Sequence, residues 1–174
     1  MFNVLIASPR DIFIERKIVR EICSGINEGV LPNNFGITFK VTRWEDVFSF
    51  ENSTQDIIKK LTDEFDIFVC IFYKKLCTFP NKGAADSLEK FLSVYDSWKS
   101  LKKPYSMFFF KEMKKPTLKE LNDPQYKKVL ELREKIKNND LFVFEDFSAP
   151  YEFCAKVHDY IEDWATEHMK SGSG

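Results

Sequence analysis

Glycine is scarce in this chain, six residues in 174, and none of them builds a GxGxxG or GxxxxGK[ST] signature. A dinucleotide or nucleotide cradled by a glycine-rich loop is therefore not an expected mode of binding. The G-x-S-x-G elbow of serine hydrolases is missing too, which removes that nucleophile. Histidine occurs only as His158 and His168, both among acidic residues in the last helical stretch, so a histidine-centred mechanism is not expected. The four cysteines, Cys23, Cys70, Cys77 and Cys154, lack the short spacings of a zinc site or redox pair, and neither a metal nor a resident cofactor is expected. Cys23, Cys70 and Cys154 fall in apolar patterns and read as small packed hydrophobes with reduced thiols, as in the cytoplasm. No apolar run approaches the length of a membrane span, and the start of the chain reads as a strand rather than a signal peptide. Charge of neither sign is in excess, the net value being −1. No whole-molecule field draws in nucleic acid, and the lysine runs "KEMKKPTLKEL" and "YKKL" read as solvated surface. Neither a membrane nor nucleic acid is an expected partner.

What the chain does have is alternation. "FNVLIA" (2–7) is a short, β-rich run that stops at Ser8-Pro9, the pattern of a buried strand. Ser8 as N-cap, Pro9 at the first helical position and Asp11 three residues on then predict a capped helix. Its apolar positions Ile12, Val19, Ile22 and Ile26 carry it to about Gly29. "LPNNFG" reads as a loop and "ITFKVTRW" as a second strand. A helix over "STQDIIKKLTDEF" is opened by Ser53 or Thr54 and buried through Ile57, Ile58, Leu61 and Phe65. "DIFVCIFY" is apolar on both faces, which suits the centre of a parallel sheet. After a loop comes a helix from about Ala84 to Ser100 with the stripe Leu88, Phe91, Leu92, Tyr95 and Trp98. "YSMFFF", a long polar connection, the helix "PQYKKVLELREKIKNN", the strand "LFVFEDF" and a final helix over 149–168 complete the chain. Strands alternating with helices predict an α/β, flavodoxin-like, doubly wound parallel sheet of about five strands with helices on both faces. Residues 1–168 read as one domain and 169–174 as a flexible tail.

Ligands in such folds bind at the carboxyl ends of the strands, here Ser8–Asp11, Trp44–Phe50 and Tyr73–Gly83. Backbone N–H groups at the first helix start, with Arg10, would face a phosphate there; the other reading of Ser8 and Asp11 is a helix cap alone. Glu15 and Arg16 read as an ion-pair network tying the first helix to a neighbour. The carboxylates near this edge are Asp11, Glu45, Asp46, Asp86 and Glu89. A lone carboxylate suits glycosidic cleavage with a cationic transition state. Trp44, Phe48, Phe50, Tyr73 and Phe79 would either stack a planar base or serve as core and lid.

"VLIASPRDIFIER" resembles the opening of a TIR-like family of prokaryotic defence and signalling domains, whose signature is a strand followed by Ser-Ser/Pro-x-Asp-x-x-x-Glu-Arg. "RWEDV", "TQDIIKKLTDEFDIFVCIFYKKLCTFP", "KKPYSMFFFK" and "DPQYKKVLELREKIKNNDLFVFEDFSAPYEF" are similar to later family segments in the same order, over residues 2–165. The resemblance implies a TIR-like fold, NAD as substrate cleaved at the nicotinamide–ribose bond, and activity in anti-phage defence or signalling after self-association or docking to other domains or subunits. It implies a catalytic glutamate at the start of the third helix, within Ser-Gly-Thr-x-x-Glu-Phe. This chain has "KGAADSLEKF" there. Aligning Gly83 with the motif glycine puts Ser87 at the glutamate position and Leu88 at the aromatic, with Asp86 and Glu89 the nearest carboxylates. Glu89 is about 200° from Ser87 around a helix. Its distance in sequence to Pro104 fits the family's spacing, whereas the register of Leu88, Phe91 and Leu92 does not. The family's preceding Gly-Thr-Pro is replaced by Leu76-Cys77-Thr78 with Pro80 later. Three readings stay open: an NAD glycohydrolase using Glu89 or Asp86, with Ser8, Arg10, Asp11, Trp44 and Tyr73 binding substrate; a catalytically degenerate interaction and oligomerisation module; and a relative of nucleoside deoxyribosyltransferases.

Overall fold

Apolar runs rich in β-branched and aromatic residues, each ended by a breaker, become strands. They are β1 (Phe2–Ala7), β2 (Phe39–Arg43), β3 (Ile67–Phe72), β4 (Tyr105–Lys111) and β5 (Val143–Phe147). The computed structural model describes residues 1–75, 79 and 82–171. In it every strand pairing is parallel and the sheet order is β2-β1-β3-β4-β5. That is the flavodoxin-like order, with its switch point between β1 and β3, so the chain has the α/β fold its alternation implies. The helices are α1 (Phe13–Glu28), α2 (Val30–Phe35), α3 (Trp44–Val47), α4 (Thr54–Glu64), α5 (Ala84–Trp98), α6 (Leu118–Leu121), α7 (Pro124–Lys137) and α8 (Pro150–Ser171).

The two faces of the sheet are chemically different. Side chains alternate along a strand, so Phe68, Cys70, Phe72, Phe108 and Phe110 point to the α3, α4, α5 and α7 side. There they meet Trp44, Phe91, Tyr95, Trp98 and Phe142 in an aromatic layer, with Trp98 stacked on Phe142 at 5.0 Å and Phe72 on Phe110 at 4.6 Å. Val4, Ile6, Ile67, Val69, Ile71 and Met107 point the other way, against Val19, Ile22 and Ile26 of α1 and Phe153, Val157 and Ile161 of α8. Eleven of the chain's 18 phenylalanines thus pack on the first of these sides.

Several expectations are corrected. Ser8 does not cap a helix: a single 3-10 turn at Arg10–Ile12 precedes α1, and its start at Pro9 has no side-chain cap. The Ser8 hydroxyl instead accepts from Arg16 Nε at 2.8 Å. "LPNNFG" is not a loop but most of α2. Pro32 lies in its first turn, where a missing N–H costs no helical bond, and Gly36, with φ 67, ends it in the left-handed conformation glycine adopts freely. The second strand stops at Arg43, and Trp44 opens α3. The polar connection contains α6, started by a full capping box between Thr117 and Glu120. The last helix continues past residue 168 to Ser171, with Met169 against the core. By contrast Ser53 does cap α4, accepting from the Asp56 N–H at 3.0 Å. The replaced Gly-Thr-Pro segment, Leu76-Cys77-Thr78 and Pro80, and residues 172–174 lie outside the described residues.

Candidate functional site at the carboxyl edge of the sheet

Adjacent strands at a switch point send their following loops in opposite directions, which opens a crevice above the β1 and β3 ends. Ser8–Asp11 leaves β1, Tyr73 and Lys74 leave β3, and Lys111 ends β4. Charged side chains close most of this edge. The Arg16 guanidinium donates twice to Ser8, from Nε to the hydroxyl and from Nη2 to the carbonyl at 2.9 Å, and once to Glu45, from Nη1 to Oε1 at 2.5 Å. Glu15, only 1% exposed, accepts from Lys111 Nζ at 2.6 Å. Helix α1 is thereby pinned to the ends of β1 and β4 and to α3, the ion-pair role read for Glu15 and Arg16.

Tyr73 is half-buried, with the ammonium groups of Lys74 and Lys111 each 5.5 Å from its ring centroid, a cation–π arrangement. Lys74 Nζ also reaches Glu120 Oε1 at 2.6 Å. That ammonium, helped by the Thr117 N–H, holds the Glu120 carboxyl down at about 2. Asp11, exposed on the 3-10 turn, lies close enough to stabilise the Lys74 charge. Beyond Lys111 a cleft of about 320 Å³ is lined by Tyr73, Lys111, Tyr126, Arg133 and Asp146. Burial, and secondarily Tyr73, pushes the Tyr126 hydroxyl up. Arg133 forks onto Asp146, with its Nε at 2.9 Å from Oδ1, the paired geometry that suits guanidinium and carboxylate.

The edge therefore brings together Ser8, Asp11 and Tyr73 from the expected set, with Arg10 exposed beside them. It does not bring the others. Trp44 is 0% exposed and packs on Phe48, Phe68, Phe79 and Phe91; its ring belongs to the core, and its Nε1 has no hydrogen-bond partner. Ser87, also 0% exposed, accepts from the Phe79 N–H at 3.0 Å and so ties the loop before α5 to the helix. Glu89 projects from α5 with 72% of its side chain exposed, its nearest cation being Lys128 of α7 at 3.9 Å. Asp86 is exposed in the first turn of α5.

Lys111, Arg133 and Asp146 were not among the residues singled out from sequence. For Lys111 a signal exists: a lysine directly after the apolar run "MFFF" falls where a parallel strand meets the edge. Arg133 and Asp146 carry no such signal, because their pairing depends on where α7 lies over β5. Chemically, Glu15, Glu45, Glu120 and Asp146 each hold a cation. A carboxylate so paired is occupied by its cation, which suits tethering of strand ends more than attack on a glycosidic bond.

No family model matches the chain, and no curated protein matches it. Among solved structures, a CheY-like response regulator receiver domain from Methanospirillum hungatei JF-1 superposes with a TM-score of 0.38 at 10% identity, over 96% of this chain and 98% of that one. The fold assignment rests on the sheet order itself. Among the described residues, no helix is long and apolar enough to cross a membrane.

Proposed function

We propose that this chain is a TIR-like interaction module of the cytoplasm, working by self-association or by docking to other subunits of a defence or signalling system, and not an NAD glycohydrolase. The observation that carries this reading is Ser87. At the position aligned with the family's glutamate stands a fully buried hydroxyl that accepts from the Phe79 N–H. A carboxylate there would be desolvated in an aromatic layer, at a cost that excludes it without a partner. Glu89 supports the same reading, being open to solvent on the α7 side.

The test is chromatographic. Concentrated protein, and protein clustered artificially on a multivalent support, is incubated with NAD and with deoxynucleosides and assayed by HPLC. The expected outcome is no nicotinamide and no exchanged base above the protein-free control, with self-association the same in wild type and Glu89→Ala. Nicotinamide release that disappears in Glu89→Ala would establish the glycohydrolase and end the module reading.

A further inference from the structure

Arg16, Ser8 and Glu45 close the carboxyl edge above β1, but the edge stays open further along the sheet. There the cleft of about 320 Å³ lies between the ends of β3, β4 and β5 and helix α7. That volume falls at the small end of the range for small-molecule sites, about 300–1,000 Å³. Phe110, Met113, Val129 and Leu130 supply apolar walls. Phe110 and Val129 are buried, while Leu130, 38% exposed, stands at the mouth. Phe110 and Tyr126 make part of the wall aromatic, which suits a flat ring better than a flexible chain.

The polar groups of the cleft are of two kinds. The cations are already matched. Lys111 gives its ammonium to Glu15 at 2.6 Å. Arg133 is fixed by Asp146 and Glu134, and its guanidinium lies 5.2 Å from the Phe144 ring centroid. Glu112, also in the lining, accepts from the Ser148 hydroxyl at 3.0 Å and has no cation partner among the described residues. A phosphate entering here finds no free cation and meets Glu112 and Asp146, whereas an ammonium meets Lys111 and Arg133. Either ion would lose water without gaining a partner.

The uncharged groups are open. Tyr73 and Tyr126 both line the cleft, near enough that Tyr73 biases the ionisation of Tyr126. Neither hydroxyl has a hydrogen-bond partner among the described residues. A phenol hydroxyl both donates and accepts. Asp146 keeps acceptor capacity too, since a carboxylate has about four lone-pair sites and Arg133 takes two of them. These three groups converge from the end of β3, from α7 and from β5, and rigid elements hold such groups in place.

We propose that this cleft binds an uncharged, flat heterocycle with both hydrogen-bond donors and acceptors on its edge, the chemistry of a nucleobase. The ring lies against the apolar walls, its N–H groups donate to Asp146, and its acceptors take the Tyr73 and Tyr126 hydroxyls. The inference goes beyond the interaction-module reading and does not depend on it.

Titration calorimetry and heteronuclear NMR on the full chain test this, with adenosine, guanosine, cytidine and uridine, their monophosphates, and NAD as probes. At least one nucleoside is expected to bind and to move the amide signals of residues 110–113, 126–133 and 146. Its monophosphate is expected to bind roughly tenfold more weakly, for want of a free cation. Leu130→Trp fills the mouth from an exposed helical position and is expected to abolish binding with circular dichroism unchanged. Tyr126→Phe keeps the ring, removes one hydroxyl and is expected to weaken binding about fivefold. Absence of binding by all four nucleosides overturns the proposal. So does a monophosphate or NAD that binds as tightly as the nucleoside, or binding that Leu130→Trp leaves intact. Should Leu130→Trp fail to fold, Tyr126→Phe decides, and an affinity equal to wild type overturns the proposal. Nicotinamide release is read separately in the NAD assay and bears on the module reading alone.

Discussion

Ser87 and Glu89 are two positions apart on one helix and have opposite fates. Helical geometry puts them about 200° apart, so when Leu88 and Phe91 are drawn into the aromatic layer one of the pair is buried and the other expelled. Ser87 suits burial because a small hydroxyl can be satisfied by one backbone group, here the Phe79 N–H. Removing that acceptor leaves a buried donor without a partner. Ser87→Ala is therefore expected to destabilise the chain by about 1–2 kcal/mol in urea unfolding, whereas Glu89→Ala, at a solvent-exposed position, is expected to stay within ~0.5 kcal/mol. Equal effects of the two would contradict the burial seen for Ser87. The residue types around Ser8 give a similar lesson. Ser-Pro-x-Asp carries every mark of a capped helix start, but a guanidinium donates to Ser8 more strongly than a backbone N–H does, and the cap is lost to Arg16.

At the level of elements, α6 shows how a short helix survives in a polar connection. Four residues cannot form a stable helix alone, and its support is the Thr117–Glu120 capping box with the Lys74 ammonium from the end of β3. The folded Glu120 carboxyl is held at about 2, below its ordinary 4.5, first by Lys74 and then by the Thr117 N–H. A depressed carboxyl contributes stability above its unfolded value and loses it as pH falls through the folded one. The contribution of Glu120 is thus complete above about pH 4.5 and gone below about pH 2. A carbon-detected NMR titration should find the Glu120 midpoint near the lower figure and, in Lys74→Ala, shifted towards the higher. An unchanged midpoint in that variant would mean that Lys74 does not set it. Elements α1 and α4 were legible because their apolar spacing survives any change of cap. Helices α2 and α6 were not: both are short, and the Pro and Asn residues around them are the same ones that mark loops.

Over the whole molecule, the ion pair between Glu15 and Lys111 joins residues 96 apart in sequence. It clamps α1 to the far side of the switch point. Lys111→Ala would strand a carboxylate that is 1% exposed and is expected to cost ~3 kcal/mol, with the Glu15→Leu/Lys111→Leu double substitution costing distinctly less. Thermal or urea melts of the single and double variants check this, and a double variant as unstable as the single would show that the pair itself matters beyond mutual neutralisation. Alternating apolar and turn segments were enough to give five strands, their parallel pairing and the class of fold, because period-2 and period-3.6 burial patterns are properties of local backbone geometry. The amino-acid sequence also placed Ser8, Asp11 and Tyr73 at the carboxyl edge, though not Lys111, Arg133 or Asp146. It did not determine which partners they find there. Arg16 with Ser8 and Glu45, Lys111 with Glu15, Arg133 with Asp146 and Trp44 inside the core all depend on distances between segments far apart in the chain. Such pairings are chosen only when the sheet closes, since desolvation decides which charges must meet and which rings are swallowed.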